Sequence, residues 1–227
     1  MNLHHVDIVF QLIVFLFAIS VHESAHAWMA NRRGDPTARM LGRITLNPIK
    51  HIDPVGTVLL PVIAAVTGFP MIGWAKPTPV DPRNFKNPVL DDVLTAVAGP
   101  VSNFIVASCA LVALAAIKLS SAAGQQIVFG IPYGMVVPEM SSTLVPASLL
   151  LYELMRINII LGVFNLIPVP PLDGSHVLRH FLPANLLRIY DTVGMFALMA
   201  LVFLGGGLLG KLIFPVINVF NYILLRV

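Results

Sequence analysis

His22, Glu23 and His26 form an H-E-x-x-H motif: two histidines four residues apart, with a carboxylate directly after the first. On a helix, positions i and i+4 lie one above the other, so both imidazoles can reach one ion. That is a zinc-binding spacing, and Glu23 stands beside it as a candidate general base. Two histidines leave tetrahedral zinc short of one protein ligand and an open position for water. The chemistry such a set performs is hydrolysis of a peptide bond. Glu23 takes a proton from the activated water and returns it to the leaving amine.

The elements that must position these residues are unusual for a protease. The motif follows Val9 to Val21, where only Gln11 and Ser20 interrupt an apolar run. The 227 residues are 57% hydrophobic and 11% charged, with mean hydropathy +0.85. Several spans of about 20 residues are therefore available, and the chain reads as an integral membrane protein. Its formal charge of +3 is spread over short loops, which gives nucleic-acid binding no support. Residues 1–7, MNLHHVD, lack the basic start of a cleaved signal, so the first segment reads as retained. The single cysteine, Cys109, reads as a buried thiol in an apolar helix.

A first helix is predicted over 7–30, ending at the polar turn Asn31 to Pro36. Arg32, Arg33, Arg39, Arg43 and Lys50 follow, placing this side in the cytoplasm by the positive-inside tendency. Residues 55–75 are apolar but flanked by basic residues at both ends. With Pro61, Gly68, Pro70 and Gly73 inside, they read as a re-entrant loop or short β-hairpin. Further spans are predicted over 92–118, 147–167 and 189–204, with 119–146 as an external loop, and 208–225 reads either as a returning span or as a segment at the interface. The expected fold is an all-α polytopic membrane protein of five to six transmembrane helices, one domain over 1–227 with a catalytic core of about 8–180.

Asp173 is the best candidate for the third ligand, because the orientation argument puts it and His26 on the same side, each near the end of its own span. Asp7, Glu139 and Glu153 fall toward the other side. Asp81, Asp91 and Asp92 read as solvated carboxylates or helix caps. His51, His176 and His180 read as facing water or headgroups, and Glu153 as an ion-pair partner for Arg156 one turn on. Asn165 and Asn103 are candidate substrate clamps or oxyanion donors, and extended chain over 71–84 could pair with a substrate strand. The alternative is an ion or metal transporter using the same buried polar residues.

Three stretches, His22-Glu23-Ser24-Ala25-His26, Gly99-Pro100-Val101-Ser102-Asn103 and Asn165 through Pro168-Val169-Pro170-Pro171-Leu172-Asp173-Gly174, together resemble the site-2 protease family of intramembrane zinc metalloproteases. The resemblance implies one Zn2+ per chain held by His22, His26 and Asp173, with Glu23 catalytic and Asn165 near the substrate. Asn103 matches a family motif. The implied substrates are transmembrane proteins in the lipid bilayer, cut in regulated intramembrane proteolysis. With no obvious eukaryotic targeting signal, the expected location is a bacterial or archaeal cell membrane, and the basic loops put the active site toward the cytoplasm. The chain resembles the compact members that carry neither PDZ nor CBS modules.

Overall fold

A computed structural model describes residues 3–60, 63, 73–135 and 143–227, with side chains from Phe10 onward. Among these residues there is no strand, and eight α-helices follow one another: α1 Leu3–Arg33, α2 Thr37–Met40, α3 Pro88–Ser120, α4 Ala122–Gly130, α5 Leu144–Asn165, α6 Asp173–Arg179, α7 Ala184–Leu204 and α8 Gly206–Arg226. Five of them, α1, α3, α5, α7 and α8, are long and apolar enough to cross a bilayer. The protein is an all-α polytopic membrane protein, as the hydropathy predicts. The predicted external loop contains a helix, α4, started by Ser121, whose side chain accepts from Gly124 N. Pro61, Gly68, Pro70, Glu139 and the side chain of Asp7 lie outside the described residues.

The core is built where α3 packs against α1 and α5. Helices associating in lipid gain little from hydrophobic burial and approach closely through small residues. Accordingly Ala18, Ala27 and Ala30 of α1 and Ala96, Gly99, Ala107 and Ala110 of α3 are buried. Leu114, Met155 and Ile159 fill the far half, with Ile127 and Val128 of α4 and Ile217 and Leu224 of α8 closing over them. Helix α7 stays peripheral, with Gly194 its one buried residue, against the Pro170 ring. Cys109 is exposed on α3 rather than buried, because this helix turns its small residues inward and leaves Ser108, Cys109 and Val112 on the outer surface. Lys118, a buried cation, donates to the carbonyls of Leu224 and Leu225 at 2.9 and 2.8 Å, satisfying the open C-terminal end of α8. Glu153 and Arg156 pair at 3.3 Å as expected.

Between α1 and α3 the chain leaves and returns at one place. Trp74 N donates to Gly56 O at 3.3 Å and Lys76 N to His51 O at 2.9 Å, so both ends of the 55–75 excursion lie side by side. The returning segment, 73–80, is extended. Its prolines explain this: Pro77, Pro79 and Pro82 have fixed φ, and the residues before them are confined to extended backbone.

Asp35 ties this segment to the end of α1. Its carboxylate, fully buried, accepts from Thr37 N (3.1 Å), Thr37 Oγ1, Asn84 Nδ2 (2.8 Å) and Asp81 N (2.8 Å). Gly34 precedes it at φ +117°, in the left-handed region, where a Cβ would also meet Asn84 O at 2.9 Å. Burial pushes the Asp35 pKa up, but these hydrogen bonds outweigh burial and hold it below the usual carboxylate value. A lowered folded pKa means stabilisation that is complete above the unfolded value, about 3.9, and lost as pH falls through the folded value. Amide exchange at Thr37 and Asp81 is therefore expected to accelerate below about pH 4 in the wild type beyond the intrinsic change. In Asp35→Ala it is expected to be fast already at neutral pH. Equal protection of the two proteins at pH 7 would remove Asp35 as the tie.

Candidate metal centre and the carboxylate beside it

Helix α1 brings His22 and His26 to one face, as their spacing requires, and both are buried. They lie about 10–17 Å along the helix from its Arg33 end, so the site sits at bilayer depth if the arginines stay at the headgroups. Helix α3 runs antiparallel beside them and presents Thr95, Gly99 and Asn103, each one turn apart. His22 Nδ1 donates to Asn103 Oδ1 at 2.6 Å, and His26 Nδ1 donates to Thr95 O at 2.7 Å. Between these anchors Gly99 leaves room for the rings. A Cβ there would stand 2.6 Å from His26 Cε1 and 2.7 Å from His22 Cε1.

The hydrogen bonds decide the tautomers. Thr95 O is a carbonyl and can only accept. Asn103 Nδ2 donates to Asn158 Oδ1 at 2.7 Å, and Asn158 Nδ2 donates to Leu154 O at 2.8 Å, which turns Asn103 Oδ1 toward His22. Both Nδ1 atoms are therefore protonated, and in the neutral rings both Nε2 atoms carry a lone pair. Asn103 and Asn158 are fully buried, so this relay is paid for by complete satisfaction of its polar groups.

Asp173 enters from α6. The loop 166–172 turns back on itself, with Leu172 N on Val169 O and Ser175 N on Leu172 O, both at 2.9 Å. Gly174 allows the closure, since a Cβ there would stand 2.7 Å from Ile167 O. Helix α6 is then pinned to the start of α3 by His176 and His180, which reach the Asp92 carboxylate at 3.2 and 2.8 Å. His180 is exposed and His176 half-buried, in line with the water-facing reading, and packing of α6 on α3 brings both to Asp92; His51, expected at water or headgroups, is instead fully buried, its ring on Thr45 O at 2.8 Å. Asp91 does act as a cap, its Oδ2 accepting from the N–H of the N-cap residue Asn87 at 2.9 Å, but it is fully buried rather than solvated and pairs with Arg33 at 2.6 Å.

Asp173 Oδ2 consequently lies 3.1 Å from His22 Nε2 and 3.4 Å from His26 Nε2, while the two Nε2 atoms are 3.0 Å apart. Despite these distances, Oδ2 is a buried atom with no hydrogen-bond partner. Two imidazole lone pairs and a carboxylate oxygen facing one another repel unless a cation lies between them. The spacings match the edge of a tetrahedron with ligands about 2.0 Å from its centre, roughly 3.3 Å. The donor set, two nitrogens and one carboxylate oxygen, suits catalytic zinc, which takes three protein ligands.

Glu23 lies outside this triad and faces the extended segment. Its Oε2 accepts from Thr78 N at 2.8 Å and from Thr78 Oγ1 at 2.7 Å, and Thr78 Oγ1 is also 2.9 Å from Glu23 O. Asn165, at the end of α5, is half-buried and spends one N–H on Leu161 O at 3.0 Å. Asn103 stands behind His22, with its Oδ1 toward that ring and its Nδ2 donating to Asn158 Oδ1 at 2.7 Å and Ala18 O at 3.4 Å. Asn158, Thr78 and the Thr95 carbonyl were not singled out from sequence. Asn158 has a signal, an amide inside an apolar span, but a main-chain carbonyl has none.

Two buried histidines and a half-buried aspartate, with a glutamate beside them inside a polytopic helical bundle, are the set expected of a membrane-embedded metalloprotease. The chain is a member of peptidase family M50, the site-2 protease family, whose family model matches residues 10–205. It is 39% identical to YwhC of Bacillus subtilis over 172 residues, 76% of this chain and 68% of that protein. It is 32% identical to Rip2 of Mycolicibacterium smegmatis over 102 residues, 44% of this chain and 38% of the relative. Both relatives carry "zinc metalloprotease" in their names. No solved structure matches significantly.

Proposed function

We propose that His22, His26 and Asp173 hold one zinc ion per chain, that Glu23 is the general base, and that the enzyme cuts peptide bonds within or near transmembrane segments of other membrane proteins. The observation that carries this reading is the meeting of two imidazole lone pairs and one carboxylate oxygen, 3.0–3.4 Å apart, inside a spanning helix bundle. Zinc bound there supplies Lewis acidity toward water and toward the scissile carbonyl. Glu23 takes the proton of the attacking water and delivers it to the leaving amine. Asn103 and the Thr95 carbonyl hold the two rings with their Nε2 atoms toward each other, and Gly99 lets α3 pack closely against both rings.

A helical substrate hides its carbonyls in its own hydrogen bonds, so it must unwind before its backbone can reach this site. The extended segment 73–80 offers limited help as a pairing edge. Its Trp74, Lys76 and Thr78 N–H groups point into the protein, and two of the alternating positions, Pro77 and Pro79, have no N–H. Asn165 keeps a second amide N–H for a substrate carbonyl. The basic residues around Arg32 to Lys50 favour a site in the cytoplasmic half of a prokaryotic cell membrane.

The test is cleavage of a single-span reporter protein in vesicles containing either the wild-type chain or Glu23→Gln. The ring-orienting relay has its own consequence. Asn103→Ala is expected to weaken zinc binding about 10- to 100-fold, because losing the group that fixes a ligand's tautomer has that effect. Competition against a chromophoric chelator measures it, and unchanged affinity would mean that His22 is oriented by something else.

A further inference from the structure

We propose that Thr78 is the positioning residue for the Glu23 carboxylate, and that the Pro77-Thr78-Pro79 segment is a rigid arm built to present it. The proposal rests on Glu23 being the base. Three observations point the same way. First, both hydrogen-bond donors of Thr78, its N–H and its hydroxyl, end on the same oxygen, Oε2. A carboxylate held through one oxygen keeps its other oxygen, Oε1, as the one to receive a proton. Second, the single hydroxyl proton is shared between Oε2 and Glu23's own main-chain carbonyl, at 2.7 and 2.9 Å. This closes a side chain of three torsions back onto its helix and removes most of its rotamer freedom before substrate arrives.

Third, the arm cannot easily drift. Proline on each side fixes φ at 77 and 79 and confines Lys76 and Thr78 to extended backbone. Upstream, Trp74 N and Lys76 N are bonded to Gly56 O and His51 O, and the buried Arg43 guanidinium donates to the carbonyls of Lys50, Lys76 (3.4 Å) and Pro77 (2.8 Å). Downstream, Asp35 holds Asp81 N. Among the described residues, no hydrogen bond or ion pair joins this arm to His22, His26 or Asp173. Its contribution is the placement of the base, separate from the holding of the metal.

The test compares Thr78→Val, Thr78→Ser and Glu23→Gln on the single-span reporter, with zinc content measured for each. Valine keeps the shape and the N–H but removes the hydroxyl; serine restores the hydroxyl. Thr78→Val is expected to keep its zinc and its KM while kcat falls about 10- to 100-fold, and Thr78→Ser is expected to recover most of that loss. A general packing role would not be rescued by the smaller serine. Wild-type kcat in Thr78→Val, a serine variant no better than valine, or loss of zinc from Thr78→Val would each overturn the proposal. If Glu23→Gln cleaves normally, the base assignment fails; if Glu23→Gln is inactive while Thr78→Val is normal, only the role of Thr78 fails.

Discussion

Glu23→Gln is expected to retain one zinc per chain while reporter cleavage falls about 100- to 10,000-fold, the usual contribution of a positioned general base. That corresponds to about 3–5 kcal/mol of transition-state stabilisation. The expectation follows from where Glu23 stands. It is one residue from His22, so the helix turns it about 100° away from the ligand face. Its Oε2 is engaged by Thr78 and not by the triad. Glutamine has the same shape, keeps an oxygen for the Thr78 donors, and lacks the capacity to take a proton at the reaction's first step. The zinc content is the control that separates lost chemistry from lost structure. Cleavage by Glu23→Gln at the wild-type rate would remove Glu23 from the base role.

Asp173→Ala is expected to weaken zinc binding by more than about 100-fold, beyond the effect of removing a group that only orients a ligand. With the carboxylate gone, two neutral imidazoles on one helix must hold a dication alone, where both rings are buried. Asp173 also supplies the negative charge that offsets the ion there. The substitution is tolerable for the fold, because Gly174, His176 and His180 still hold the loop and α6 in place. Zinc binding measured on the purified wild type and variant decides the matter. Equal affinity would require a different third ligand, and a wild type free of zinc after gentle preparation would leave the three residues without the role assigned to them.

The two substitutions probe different halves of the same arrangement. Three elements distant in sequence, α1, α6 and the arm at 73–80, each deliver one part: the imidazoles, the Asp173 carboxylate and the clamp on Glu23. Helix α3 is the common support, touching His22, His26 and, through Asp92, the helix that carries Asp173. Such interior polarity is tolerable in a membrane protein only when each group has a partner. The chain Leu154 O, Asn158, Asn103, His22 meets that condition, and so does Lys118 on the end of α8.

Whatever depends on local geometry and solvent preference is legible in the residues alone. Apolar runs set the number of long helices, and the four-residue spacing put His22 and His26 on one face whatever packs against them. Asp173 was reachable by reasoning about sides of the membrane, because chain reversals between spans are legible in loops rich in basic residues and proline. The tertiary structure decided everything that depends on which faces of two helices meet. The partners of His22, His26 and Glu23 lie 81, 69 and 55 positions away. One of these partners is a main-chain carbonyl, which every residue has, and another is a threonine of ordinary type in a proline-rich stretch. Asp92 with His176 and His180, the buried Asp91 and the exposed Cys109 follow the same rule. Hydropathy says that a helix is in the membrane, but the rotation that sends one side inward comes from fitting small residues against small residues. That fit is a property of two surfaces together.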